Sequence, residues 1–255
     1  MPFFDSDGLK IHYEDGGSGD PAVLVHGFAS NAQNNWGVTG WLDLLGRDHR
    51  VVALDCRGHG QSDKPHERTA YTATSMEDDV IALMDHVGIR RALLMGYSMG
   101  GRISMGLLVR YPDRFRAVVL GGIGHVLPVN DPARRSSIVE GLLAADSSSV
   151  KAEMPKQFRR FAESNHNDLK ALAACMGADR STISAAAFAS NRVPVLLAVG
   201  SKDTVVGSTR ALAGTIRNSR LVEIEGRDHL NTPGDQRYKE AVLEFFRSCS
   251  GVGQE

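Results

Sequence analysis

The chain has 255 residues, 42% hydrophobic and 23% charged, and its 29 Lys and Arg against 30 Asp and Glu leave a formal net charge of -1. That length suits one α/β domain with a sizeable core, and the balanced charge, with no dense basic run, excludes a nucleic-acid binder held by electrostatics. No stretch reaches the roughly eighteen apolar residues of a membrane span, and the opening MPFFDSDGLKIHYED has no basic region leading into an apolar one, so the expectation is a soluble, cytoplasmic protein with no membrane partner.

Short apolar runs closed by Gly or Asp recur along the chain. LKIHYED (9–15) alternates and reads as a strand, and PAVLVHG (21–27), RVVALDCRGHG (50–60), RRALLMGYS (90–98), FRAVVLGGIG (115–124), VPVLLAVGSKD (193–203) and SRLVEIEGRDH (219–229) follow it. Runs of Val, Leu and Ile that end this way are the mark of buried parallel strands with loops leaving their carboxyl ends. Helical patterns lie between them. SMEDDVIALMDHVG (75–88) opens on Ser75 with acids in its first turn and stops at Gly88, GRISMGLLVRYP (101–112) stops before Pro112, and QRYKEAVLEFFRS (236–248) carries apolar residues at helical spacing. The alternation predicts the α/β class, a mostly parallel twisted sheet of about eight strands flanked by helices.

Residues 124–191 break the rhythm. They hold no strand pattern, only short helical ones, with Met154, Phe158 and Phe161 on one face and Leu169, Leu172 and Met176 on another. Extra helices packed on the sheet would account for this. A small helical cap, or lid, is the favoured reading, because long insertions between core elements commonly serve as lids or binding loops. The domain organisation is then a core of residues 1–123 and 192–255 with a cap insertion at 124–191. The three cysteines, Cys56, Cys175 and Cys249, are scattered and odd in number, which points to neither a disulfide framework nor a zinc site.

The run LLMGYSMGG (93–101) contains Gly96-Tyr97-Ser98-Met99-Gly100, a G-x-S-x-G pattern following a strand and opening a helix. In that context the serine sits on a sharp strand-to-helix turn with its hydroxyl clear of the backbone, and glycines two before and two after relieve the crowding. A helix amino terminus also favours the negative charge of an alkoxide or an oxyanion. The N–H of Met99 is one candidate oxyanion donor, and the N–H of Phe28, in VHGFAS (25–30), is the second. A serine needs a base. Of the nine histidines, His229 ends the last strand pattern, while His26 is a weaker candidate and His59 reads as a loop hydrogen-bonder. The base needs an acid to hold its tautomer. Asp203 closes LLAVGSKD, Asp55 is in reserve, and Asp228 adjoins His229 and would point elsewhere.

With these residues in place, the chain resembles the α/β-hydrolase superfamily over nearly its whole length. VHGF before a first long helix, DCRGHGQSDKP (55–65), GYSMGG (96–101), VGSKD (199–203) and GRDH (226–229) carry the likeness, in family order. The resemblance implies Ser98 as nucleophile, His229 as base, Asp203 as acid, Phe28 and Met99 as oxyanion donors, a cap at about 124–191, no metal and no cofactor. Among branches, the chain is similar to serine carboxylesterases and to cofactor-free perhydrolases, with HG followed by an aromatic and SMGG at the elbow. A small-molecule ester of small to medium acyl chain is the expected substrate. Thioester, lactone, amide or carbon–carbon hydrolysis, perhydrolysis, and a non-catalytic ligand-binding member are the alternatives. Val126, Phe158, Val205 and Leu230 are candidate pocket residues. One departure from the family pattern, Asp228 before the histidine and LNTPGD after it, leaves open what fixes the last helix.

Overall fold

The apolar runs become strands of one sheet. The computed structural model describes residues 2–125, 131–179, 183 and 185–250. Its strands are β1 (Phe3–Ser6), β2 (Leu9–Gly17), β3 (Asp20–Val25), β4 (His49–Leu54), β5 (Ala92–Tyr97), β6 (Phe115–Gly121), β7 (Val195–Gly200) and β8 (Ser219–Ile224). They form a single eight-stranded sheet in the order β1-β2-β4-β3-β5-β6-β7-β8. The first two pairings, β1 with β2 and β2 with β4, are antiparallel, and the rest are parallel. The strand pattern overlooked β1, whose four residues are too few to show alternation. Its signal was Asp7-Gly8, both at positive φ (53° and 76°), the turn that a two-residue hairpin demands.

Every residue of β5 and of β7 is buried, because helices cover both faces. On one face Val23, Val25, Leu94, Val118 and Leu120 pack under α2 (Ala73–His86) and α3 (Met99–Arg110). On the other, Leu24, Met95 and Val119 pack under α1 (Trp41–Leu45) and α8 (Gln236–Ser250), with Trp41, Tyr238 and Phe246 fully buried between. Three sequence expectations shift. The segment after VHGF forms no long helix, only a π turn at Gln33–Gly37 and the five-residue α1. Helix α2 starts earlier than Ser75, because the Thr72 side chain accepts the Ser75 N–H at 3.1 Å and caps it, which moves the acids out of the first turn. Helix α3 begins directly after Ser98, two residues ahead of the expected start.

Between β6 and β7 lie α4 (Pro132–Leu143), α5 (Glu153–Ser164) and α6 (Leu169–Gly177). They share an apolar cluster of Ile138, Leu142, Ala162, Leu172 and Met176 that takes in Ala29 and touches Phe28 in the turn after β3, while Ala174 and Cys175 of α6 pack into the core under α2 and α3. The buried Arg159 of α5 ties α4 down by donating to the carbonyls of Gly141, Leu142 and Ala144. Such donors satisfy the last carbonyls of a helix that has no partner of its own.

Beneath α2 the guanidinium of Arg57 meets Asp79 at 2.7 Å, both side chains at most 3% exposed, and Ser6 donates to the same carboxylate at 2.6 Å. Removing one partner strands a buried charge. We therefore expect Arg57→Ala to lower unfolding stability by about 3–5 kcal/mol in urea titration, a buried-pair magnitude, and a change under about 1 kcal/mol, the exposed-pair range, would contradict this.

Candidate active site

Strand β5 ends at Tyr97 and α3 begins at Met99, so Ser98 alone makes the turn. It does so at φ 54°, ψ -110°, a conformation that costs an L-residue about 1–3 kcal/mol and is held only by its surroundings. Its N–H donates to the Gly121 carbonyl at 2.8 Å, and its carbonyl accepts from Arg102 N at 3.0 Å. The flanking glycines are required by space. A Cβ on Gly96 would fall on the Gly100 carbonyl, and one on Gly100 would fall on the Val25 carbonyl.

His229 Nε2 lies 3.0 Å from Ser98 Oγ, and His229 Nδ1 lies 2.7 Å from Asp203 Oδ2. The Asp203 side chain is fully buried, and its other oxygen accepts the N–H groups of Val205 (2.9 Å) and Val206 (3.3 Å). With the Nδ1 hydrogen donated to Asp203, Nε2 is left to accept from Ser98. Neither partner sits at a strand end as the sequence pattern suggested. Strand β7 stops at Gly200 and β8 at Ile224, and both residues stand on the loops beyond. The His229 loop is fastened by its backbone. Tyr97 donates its hydroxyl to the His229 carbonyl at 2.6 Å, and Trp41 Nε1 donates to the Pro233 carbonyl at 2.8 Å. Asp228 turns into its own loop, accepting from Leu230 N and Asn231 N. The residue that fixes the last helix is Asp235, whose carboxylate accepts the Arg237 N–H at the start of α8. The Arg237 side chain, and after it Arg227, hold its carboxyl well below the usual range. The reserve acid, Asp55, is engaged elsewhere by His12 Nδ1 (2.9 Å), Ala32 N (2.7 Å) and Gln61 N (2.9 Å).

The turn after β3 faces the same serine. His26 is built into it: its Nε2 accepts the Cys56 N–H at 2.9 Å, so Nδ1 carries the hydrogen and meets the Gly27 carbonyl at 2.7 Å. Both ring nitrogens are thereby committed, and His26 has no nitrogen left to act on Ser98. Burial pushes its pKa down. His59, its ring centroid 5.2 Å from that of His26 and fully buried, is pushed down to about 3, first by burial and then by the neighbouring His26. Among the described residues neither the Phe28 N–H nor the Met99 N–H has a protein acceptor. A cleft of about 660 Å³ opens over Ser98 and His229. Phe28, Met99, Phe158, Val205 and Leu230 all line it, while Val126 lies outside the described residues. Sequence reasoning overlooked the polar end of the cleft, formed by Asn34, Asn35 and Asn165, whose signal was the amide-dense stretches NAQNNW (31–36) and NHND (165–168). Among the described residues no group of three His, Cys, Asp or Glu converges on a metal-sized site, and no helix is long and apolar enough to cross a membrane.

The family described as alpha/beta hydrolase fold matches residues 20–171. A dihydrolipoyllysine-residue acetyltransferase component of an acetoin cleaving system from Pseudomonas putida is 32% identical over 251 residues, covering 91% of this chain and 65% of that protein. The chain spans between 37% and 65% of the length of three curated relatives it matches. Among solved structures, a hydrolase from Pseudomonas aeruginosa PA01 is similar at 27% identity and TM-score 0.80, covering 96% of this chain and 97% of that one. A thermophilic esterase from Thermogutta terrifontis is similar at 25% identity and TM-score 0.76, covering 97% of each chain.

The two depressed histidines make stability depend on pH. The unfolded chain protonates these rings near pH 6.5, whereas the folded chain keeps His59 neutral down to about pH 3. Between those values the unfolded state holds more protons, so stability is complete above about pH 6.5 and is lost as pH falls. Urea titrations between pH 7 and 5 are expected to show this slope, and His59→Gln is expected to lessen it by up to about 1.4 kcal/mol per pH unit, the value of one proton. An unchanged slope would remove His59 from the account.

Proposed function

The chain belongs to the α/β-hydrolase fold family, and from that premise we propose that it is a serine hydrolase, a carboxylesterase acting on esters of small to medium acyl chain. The observation that carries this reading is Ser98 Oγ at 3.0 Å from His229 Nε2, with Nδ1 of the same ring held by the buried Asp203. Ser98 attacks the ester carbonyl as His229 takes its proton. Asp203 keeps the imidazole in the competent tautomer and stabilises the imidazolium that forms. The N–H groups of Phe28 and Met99, unclaimed by protein acceptors, receive the oxyanion of the tetrahedral intermediate. His229 returns the proton to the departing alcohol, and water, activated by the same ring, releases the acid from Ser98.

The apolar side of the cleft, with Phe28, Met154, Phe158 and Phe161 above the serine, fits the hydrocarbon part of an acyl ester. On this reading the helices between β6 and β7 are the cap, and Phe158, whose ring lies 5.9 Å from that of Phe28, roofs the acyl end. A solved esterase and an enol-lactonase are similar at the same 25% identity, so the ester reading rests on the cleft and on the Ser98–His229–Asp203 geometry.

Release of p-nitrophenol from acetate, butyrate and octanoate esters tests the reading. Ser98→Ala is expected to lose about 10³-fold or more of kcat/KM, and Asp203→Asn about 10⁴-fold through the wrong imidazole tautomer. Equal rates for wild type and Ser98→Ala would sink the serine mechanism. Rapid turnover of thioesters or amides with none of esters would move the substrate to another acyl class.

A further inference from the structure

The turn that carries the Phe28 N–H is fastened from two sides. From the core, Gly27 N–H donates to Asn35 Oδ1 at 2.9 Å, and the Gly27 carbonyl accepts from His26 Nδ1 (2.7 Å) and from Ser30 N (3.3 Å). From the opposite side the Ala29 carbonyl accepts two side-chain amides, Asn167 Nδ2 at 2.8 Å and Asn165 Nδ2 at 3.1 Å. Both come from the link between α5 and α6. Asn34 Nδ2 donates to Asn165 Oδ1 at 2.9 Å, which sets the nitrogen of that amide toward Ala29.

Ala29 needs such restraint. It is fully buried and sits at φ 57°, a left-handed conformation costing an L-residue about 1–2 kcal/mol. The α5–α6 link is shaped to deliver the amides. Asn165 N, His166 N and Asn167 N donate to the carbonyls of Phe161, Glu163 and Ala162, closing the end of α5, with His166 itself at φ 52°. The Asn167 amide also donates weakly to the Ala162 carbonyl at 3.4 Å, so the same side chain spans from the end of α5 to the core.

We propose that Asn165 and Asn167 are positioning residues for the oxyanion turn, so that the helical segment between β6 and β7 completes the reaction site as well as covering it. The proposal rests on the serine-hydrolase reading above. Asn167 does not line the cleft, so it reaches the site through the Ala29 peptide and not through substrate, whereas Asn165 also borders the substrate space. Without the two donors the Ala29 peptide relaxes toward ordinary φ, and the Phe28 N–H turns away from the place where charge develops. The α5–α6 link then cannot swing clear of the core without disturbing the oxyanion turn.

The test uses the full chain with Asn167→Ala, Asn167→Asp and the double variant Asn165→Ala/Asn167→Ala. The aspartate keeps the size and removes the donor. For p-nitrophenyl butyrate, kcat is expected to fall about tenfold with KM within about twofold, less than the 10²–10³ lost with an oxyanion donor itself. Inhibition by an alkyl trifluoromethyl ketone, which forms a tetrahedral oxyanion on serine, weakens by the same factor, and amide hydrogen exchange over residues 26–31 speeds up. Unchanged kcat and unchanged exchange overturn the proposal, as does a raised KM with kcat intact, which would make the asparagines substrate contacts only. If wild-type hydrolysis proves independent of Ser98, the serine-hydrolase reading fails, while the exchange measurement still decides whether the asparagines hold the turn.

Discussion

The architecture around Ser98 depends on how closely α3 can approach the ends of β3 and β6. The helix begins one residue after β5, so its first turn lies against the Val25 carbonyl on one side and the Gly121 carbonyl on the other. Only residues without a Cβ permit that approach, and the cost of the Ser98 backbone is offset by the hydrogen bond its N–H makes to Gly121. If the helix stood further out, the serine would relax into a normal turn. It would no longer face the His229 loop, and the turn after β3 would have nothing to face.

Around this fixed point the polar groups sort by burial. Asp203 is enclosed and fully paired, with two backbone N–H groups and one imidazole. His26 and His59, in and behind the turn after β3, are enclosed too, and burial keeps them neutral. On the proposed mechanism, a charged imidazole there would compete electrostatically with the one that forms on His229. The wall behind the site is therefore built of histidines that hold shape by hydrogen bonds and contribute no charge.

Much of this was legible in the sequence because it rests on short-range rules. Gly96 is required by the Gly100 carbonyl four residues on, the G-x-S-x-G pattern marks the same turn, and runs such as ALLMGY and VLLAVG announce strands buried on both faces. What escaped were features decided over long separations. The Ala29 carbonyl meets Asn165 and Asn167 from more than a hundred positions away, and an asparagine in a loop carries no mark of its distant partner. Helix boundaries shifted for a local reason of the opposite kind. Thr72 and Ser75 are both competent caps, and only the backbone path decides that the first of them is used. The role of Asp235 was hidden because it lies six residues past His229, where spacing alone does not separate a helix cap from a turn residue.

The hydrogen bonds from Tyr97 to the His229 carbonyl and from Trp41 to the Pro233 carbonyl span 132 and 192 positions. Both carry the amino-terminal half of the molecule onto a loop that precedes the last helix. A ribosome that has just finished residue 200 has already made the Ser98 turn, the turn after β3 and the helical segment, yet neither Asp203 nor His229. On the proposed mechanism the site is completed only when the loop bearing His229 docks onto a scaffold made well before it.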